Sequence, residues 1–185
     1  MSRYSLLTEL AHVKKDKVIM GCACGGGKGL PHLLTLKPRV LVAVDNDIDT
    51  MYRVMRICET QPLIKYERIL FSCADIRKLH FENYFDYFYC CETLEHLTEK
   101  NNNQVASSIL QTIKPGGRLL LSVPGHKHSM KNPKHKQVLS DKTIFAMFGS
   151  QCTFIDRGIY HKYLNDSTKA QYFTNLFVFE KQSRK

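Results

Sequence analysis

At 185 residues, 43% of them hydrophobic, the chain is long enough to bury one core and too short for two ordinary domains, so one domain over residues 1–185 is expected. No apolar run approaches the roughly 18 residues that cross a bilayer, and Met1-Ser2-Arg3-Tyr4 lacks the apolar stretch of a secretory signal, which argues against a membrane or secreted protein. The formal charge of +10, from 27 Lys and Arg against 17 Asp and Glu, points to phosphate-bearing partners, nucleic acid first, although a solvated basic surface is the plainer reading.

Seven cysteines, an odd number without any C-x-x-C pair, fit reduced thiols in the cytoplasm or another reducing compartment better than a disulfide framework. Most read as small apolar core residues, and a thiolate zinc site is not expected.

In chain order, residues 1–12 read as a short helix and Val18 to Cys22 as the first strand. After a glycine turn, Lys28 to Leu36 reads as a helix with Pro31 in its first turn, where a missing N–H is harmless. Arg39 to Val44 is the second strand. Met51, Val54, Met55 and Cys58 recur at i, i+3, i+4 and i+7, which gives a helix with one apolar face, and Arg68 to Phe71 follows as a strand. Phe85 to Cys91 is a continuous apolar strand, in which Cys90 and Cys91 must face opposite ways. Gln104 to Ile113 is an amphipathic helix, and Lys114-Pro115-Gly116-Gly117 a turn into the strand Arg118 to Val123. His126 to Lys136 is a basic loop, followed by a helix that Ser140 or Asp141 can cap. Cys152 to Tyr160 and Tyr172 to Glu180 alternate as the last two strands, joined as a hairpin around Asn165 to Lys169. Successive βα units of this kind build a doubly wound α/β fold, a mostly parallel seven-stranded sheet with helices on both faces.

The first strand breaks into Gly21-Cys22-Ala23-Cys24-Gly25-Gly26-Gly27, and about twenty residues past the turn the second strand ends on Asp45. Glycines admit positive φ and let a ligand approach bare backbone, and a carboxylate at the next strand's tip can accept hydrogen bonds from a ribose. A P-loop needs Ser or Thr after its Lys, but Gly29 follows Lys28. A dinucleotide fingerprint starting at Gly25 needs a small residue where Leu30 stands.

Taken with later landmarks, the chain resembles the class I S-adenosylmethionine-dependent methyltransferases over nearly its whole length. The landmarks are Ala23-Cys24-Gly25-Gly26-Gly27, Val42-Ala43-Val44-Asp45, Cys73-Ala74-Asp75, Phe85-Asp86-Tyr87-Phe88 with Leu94-Glu95-His96-Leu97, and Ile113-Lys114-Pro115-Gly116-Gly117. The resemblance implies a Rossmann-like fold and S-adenosyl-L-methionine as cofactor. It implies contacts to that cofactor from Ala23, Gly25, Gly27, Asp45, Asn46, Asp75, Ile76 and Cys91, with Asp45 on the ribose and Asp75 at the adenine amino group. The chain departs from the family at Gly21, where an acid is usual, so the cofactor's ammonium needs backbone carbonyls or another carboxylate.

Methyl transfer from a sulfonium is an in-line displacement in which the protein aligns the acceptor and shields the site. A hydroxyl acceptor also needs its proton removed, for which His96, Glu92 and His126 are the catalytic candidates, with His128 beside them; a ring nitrogen with a free lone pair needs no base. Glu92, Glu95 and His96 share a face if their segment is helical and, with a later His, could hold a divalent metal. Leu-Glu-His also occurs at this place in metal-free members of the wider family. The expectation is therefore a polar cap beside the cofactor and no metal.

The basic segment 126–136 leaves the end of the fifth strand, where an open sheet binds its ligands, and its lysines suit a phosphate-rich acceptor. Tyr160, Tyr163 and Phe173 are candidate stacking platforms or core residues. RNA is the expected acceptor, and the messenger-cap guanine-N7 enzymes are one resembling subgroup, although Leu94-Glu95-His96 replaces their usual His-Tyr pair. Small-molecule methyltransferases share Leu-Glu-His better. The rival of another class is a noncatalytic RNA-binding subunit, or a subunit that acts through a protein partner.

Overall fold

A computed structural model describes residues 2–23, 25–59, 69–163 and 171–183. Its spine is a seven-stranded sheet: β1 (Val18–Cys22), β2 (Val40–Asp45), β3 (Ile69–Cys73), β4 (Phe85–Cys91), β5 (Ile113–Pro124), β6 (Cys152–Tyr163) and β7 (Gln171–Lys181), in the order β3-β2-β1-β4-β5-β7-β6. The first five strands run parallel, and β7 is antiparallel to both β5 and β6.

Alternation along each strand divides the core into two layers. Met20, Val42, Phe88, Cys90, Leu121 and Phe177 face one layer, which α4 (Asn102–Thr112) and α6 (Asp141–Phe148) cover. Ile19, Leu41, Ala43, Tyr89, Cys91 and Leu120 face the other, under α1 (Arg3–Leu10), α2 (Leu30–Thr35) and α3 (Ile48–Glu59). Cys90 and Cys91 fall on opposite sides, as a strand requires. On α3 the expected stripe is buried at Met51, Val54 and Cys58. Ser140 caps α6, its hydroxyl accepting the Thr143 amide at 3.1 Å. Of the cysteines in the described residues, Cys22, Cys58, Cys90, Cys91 and Cys152 are buried and Cys73 is exposed.

Three expectations need correction. Lys114 to Gly117 is not a turn before the strand but a bulge inside it: Phe85 pairs with Ile113 and Tyr87 already with Arg118, and Gly116 takes φ +75°. The basic segment is not all loop, because His126–Lys131 forms α5. Ser129 sits buried at its centre, its amide donating to the Gly125 carbonyl at 2.9 Å and its hydroxyl to the Gln137 carbonyl at 3.2 Å, which folds the segment back on itself. Finally, Glu92, Glu95 and His96 do not share one helical face. Glu92 takes φ +53°, which ends any continuous helix, and only Leu94–His96 makes a single 3-10 turn.

The proposed hairpin tip and Arg68 lie outside the described residues. No helix among the described residues is long and apolar enough to cross a membrane.

Candidate functional site

The strand order reverses at β1, which pairs with β2 on one side and β4 on the other. Helices approach opposite faces there, and a crevice opens beyond the carboxyl ends of the strands. The crevice is a cleft of about 470 Å³, and the loops leaving β1, β2, β3 and β4 line it.

Of the residues expected at the cofactor, Ala23 and Gly25 line the cleft from the loop after β1, Asn46 from the end of β2, and Ile76 from the turn after β3. Asp45 and Asp75 both line the cleft as well. Gly25 has φ +48°, and a Cβ there or at Gly26 would meet no atom closer than 4.0 Å, so the loop offers bare backbone to whatever fills the cleft. Gly27 and Cys91 are not among the lining residues. Gly27 takes φ +72° and packs on Val54 of α3, and Cys91 is buried in the core layer under α1.

Asp45 is itself held. One carboxylate oxygen accepts the Gly25 amide at 2.9 Å and the other the Asp47 amide at 3.1 Å. A carboxylate has about four acceptor positions, so these two bonds from the described residues do not fill it. Asp75 caps the 3-10 turn Ile76–Lys78 by accepting the Arg77 amide at 2.9 Å, and the Arg77 guanidinium grips it with two nitrogens. That hydrogen bonding holds the Asp75 carboxyl below the usual carboxylate range against the opposing effect of burial.

Of the three proton acceptors expected from the sequence, Glu92 and His96 line the cleft, and exposed His126 is not among the lining residues. Glu92 pairs with Arg3 of α1 at 3.5 Å, an ion pair the sequence did not suggest. Burial raises its carboxyl, and the Arg3 charge opposes that rise. Glu95 is fully buried beside it, its carboxyl pushed up to about 8 by burial and then by the Glu92 charge. Gly21, where an acid is usual, would send a Cβ to within 3.1 Å of Leu33 on α2, a space for packing and not for charge.

The basic segment reaches the cleft through Lys136. The Lys136 and Gln137 amides donate to the Glu95 carbonyl at 2.8 and 3.4 Å, and the Gln137 side chain donates to the Leu94 carbonyl at 3.0 Å. Phe173 packs on Gly125 and Tyr160 on the core layer under α1, while the side chain of Tyr163 lies outside the described residues.

A sheet in this order, with an acid-bound glycine loop and a cleft at its switch point, defines a Rossmann-like fold of the class I methyltransferase type. The chain belongs to the family described as methyltransferase domain, whose model matches residues 19–117. No curated protein matches the sequence.

Among solved structures, the N-methyltransferase NodS from Bradyrhizobium japonicum WM9 is 15% identical, with a TM-score of 0.77 over 98% of this chain and 95% of that one. A second NodS structure holds S-adenosyl-L-homocysteine. The BH2331 protein of Bacillus halodurans C-125 is 13% identical, with a TM-score of 0.81 over 97% of this chain and 99% of that one. A Haloferax volcanii protein seen in complex with the Trm112 methyltransferase activator is 13% identical, with a TM-score of 0.77 over 97% and 88% of the two chains. At these identities the likeness is one of fold.

Proposed function

We propose that the protein transfers the methyl group of S-adenosyl-L-methionine to RNA. The family membership supports the reaction type, and the cleft supports the donor. Its volume lies in the usual range for a small-molecule site, its glycine loop is bare backbone, and Asp45 lines it with a carboxylate that can accept from ribose hydroxyls. Asp75 and Ile76 take the adenine end, with Arg77 fixing the Asp75 carboxylate, and Ala23, Gly25 and Asn46 line the path between. The cofactor supplies an electrophilic methyl group.

Gly21 leaves the cofactor's ammonium without the usual acid, and Glu92, which lines the cleft, is a carboxylate that can replace it. With Glu92 so engaged, a hydroxyl acceptor loses its proton to His96, whose Nδ1 lies 3.2 Å from the Lys134 carbonyl and so carries the hydrogen, leaving the Nε2 lone pair.

The observation that carries the RNA assignment is the anchoring of the cationic segment at the cleft. Lys131, Lys134 and Lys136 are exposed on a segment tied to the Glu95 carbonyl, with Lys136 lining the cleft, and this positive charge beside the cleft supports a phosphate-bearing acceptor. The test is transfer of a labelled methyl group across capped RNA, uncapped RNA, tRNA and small catechols. Label on RNA supports the reading, and preference for the capped form assigns the guanine N7. Label confined to the small molecules overturns the RNA assignment.

A further inference from the structure

Glu95 presents an unusual arrangement. Its side chain is 1% exposed, and neither carboxylate oxygen accepts a hydrogen bond from another of the described residues. A buried carboxyl whose two oxygens accept no hydrogen bond is rare in a folded protein, and it leaves acceptor capacity that a ligand can take up. Two imidazoles stand against it. Ligand atoms of Glu95, His96 and His135 all lie within 4.8 Å of one another, and the His96 Nε2 is 4.0 Å from a Glu95 oxygen. The two rings meet edge to face at 4.9 Å.

Both histidines are oriented as metal ligands are. His96 Nδ1 lies 3.2 Å from the Lys134 carbonyl, and His135 Nδ1 lies 3.2 Å from the Ser129 carbonyl. A backbone carbonyl takes a hydrogen bond from each Nδ1–H, which fixes the tautomer and leaves Nε2 as the electron-pair donor. On His135 that nitrogen now faces the Asn132 amide at 2.9 Å, an amide that a cation would displace. The sequence grouped Glu95 and His96 with an unspecified later His, and the fold-back of the segment onto the Glu95 carbonyl makes that residue His135.

We propose that Glu95, His96 and His135 bind one first-row divalent cation at the acceptor side of the cleft. Two imidazoles and one carboxylate suit Mn²⁺, Fe²⁺, Co²⁺ or Zn²⁺ and leave positions open for an oxygen of the acceptor. Donor atoms around such an ion stand about 3–3.5 Å apart, so the trio closes by about 1 Å on binding. The cation takes the lone pair of His96, whose part in the reaction then passes from proton acceptor to ligand. Only that part in the reaction rests on the methyl-transfer reading; binding of the cation does not.

The test is titration of the protein with Co²⁺, followed by visible absorbance and calorimetry. One saturable equivalent is expected, weakened at least about tenfold in both His135→Ala and Glu95→Gln. Glu95→Gln is also expected to keep or raise the melting temperature of metal-free protein while losing the rise that Co²⁺ gives the parent chain. A lower melting temperature without metal marks Glu95 as a purely structural group and overturns the proposal. So does the absence of saturable binding at about 1 mM Co²⁺, or an unchanged affinity in His135→Ala. Binding of S-adenosyl-L-homocysteine, measured separately, shows whether the methyl-transfer reading has failed with it.

Discussion

The Asp45 carboxylate accepts the Gly25 amide at 2.9 Å, joining the tip of β2 to the glycine loop after β1. Twenty residues separate the two in sequence, yet the acid shapes the loop as well as facing the cleft. Gly25 holds φ +48°, and its N–H is turned toward Asp45 instead of a helical partner. A change at Asp45 therefore acts twice, once on ligand contacts and once on the backbone that forms the wall.

The loop's other left-handed glycine is a stability element. Gly27 takes φ +72°, and a Cβ there would stand 3.2 Å from Val54. Gly27→Ala is expected to lose about 1–2 kcal/mol from backbone strain, a fall in melting temperature of about 2–8 °C for a chain of this size. Calorimetric unfolding checks it, and an unchanged transition would mean that the loop can relax at no cost.

In the proposed function Glu92 holds the ammonium of the cofactor. A hydrogen bond between charged groups contributes about 1.5–3 kcal/mol, so Glu92→Gln should weaken S-adenosyl-L-methionine binding about ten- to a hundredfold. An analogue lacking the amino group should bind both forms alike. If Glu92→Gln lowers the rate of methyl transfer and leaves cofactor affinity intact, Glu92 is the base expected from the sequence instead.

Lys131 and Lys134 are exposed on the basic segment and are not among the residues lining the cleft. Replacing both by Glu should raise KM for RNA and leave cofactor affinity unchanged. Each lost phosphate contact removes about 0.7 from the slope of log affinity against log salt for a single strand, so the double variant should flatten that slope by about 1.4. Filter binding across a salt series measures it, and an unaltered slope would place the RNA elsewhere.

Below the sheet, Asp86 accepts the Val18 amide at 2.8 Å and the Lys114 ammonium at 3.0 Å. Burial pushes its carboxyl up, but the amide and the ammonium together hold it below the usual value. A depressed folded-state pKa gives stability that is present above the unfolded value of about 3.9 and is lost as pH falls through the folded value. Lys114→Met should therefore be less stable than the parent chain at pH 7, by about 0.5 kcal/mol after solvent screening. Denaturant titrations from pH 7 to pH 2 should show the gap closing below pH 4.

The βα alternation was legible because apolar runs and helical stripes have different periods, as at Phe85–Cys91 and at Met51, Val54 and Cys58. That Asp45 and the glycine loop would meet at the strand ends was legible from the strand-turn-strand spacing, and Asp75 from the motif resemblance; the structure places all three at the cleft. The bulge at Lys114–Gly117 was not, since Pro-Gly-Gly signals a turn without saying whether the strand resumes its ladder. Nor was α5, whose hold on the fold depends on buried Ser129 reaching Gln137 across eight residues. The spacing of Glu92, Glu95 and His96 suggested a helix face, but positive φ at Glu92 gave the three different surroundings. Local pattern carries no information about such long-range contacts.

Every role proposed for the cleft in methyl transfer depends on the binding of cofactor there. Calorimetric titration of S-adenosyl-L-homocysteine into the parent chain, Asp45→Asn and Asp45→Ala is the measurement. One site in the micromolar range is expected for the parent, a weaker one for Asp45→Asn, and no measurable heat for Asp45→Ala with its fold intact by circular dichroism. Equal affinity in all three would contradict the account, because it would put the nucleoside away from the carboxylate that holds Gly25.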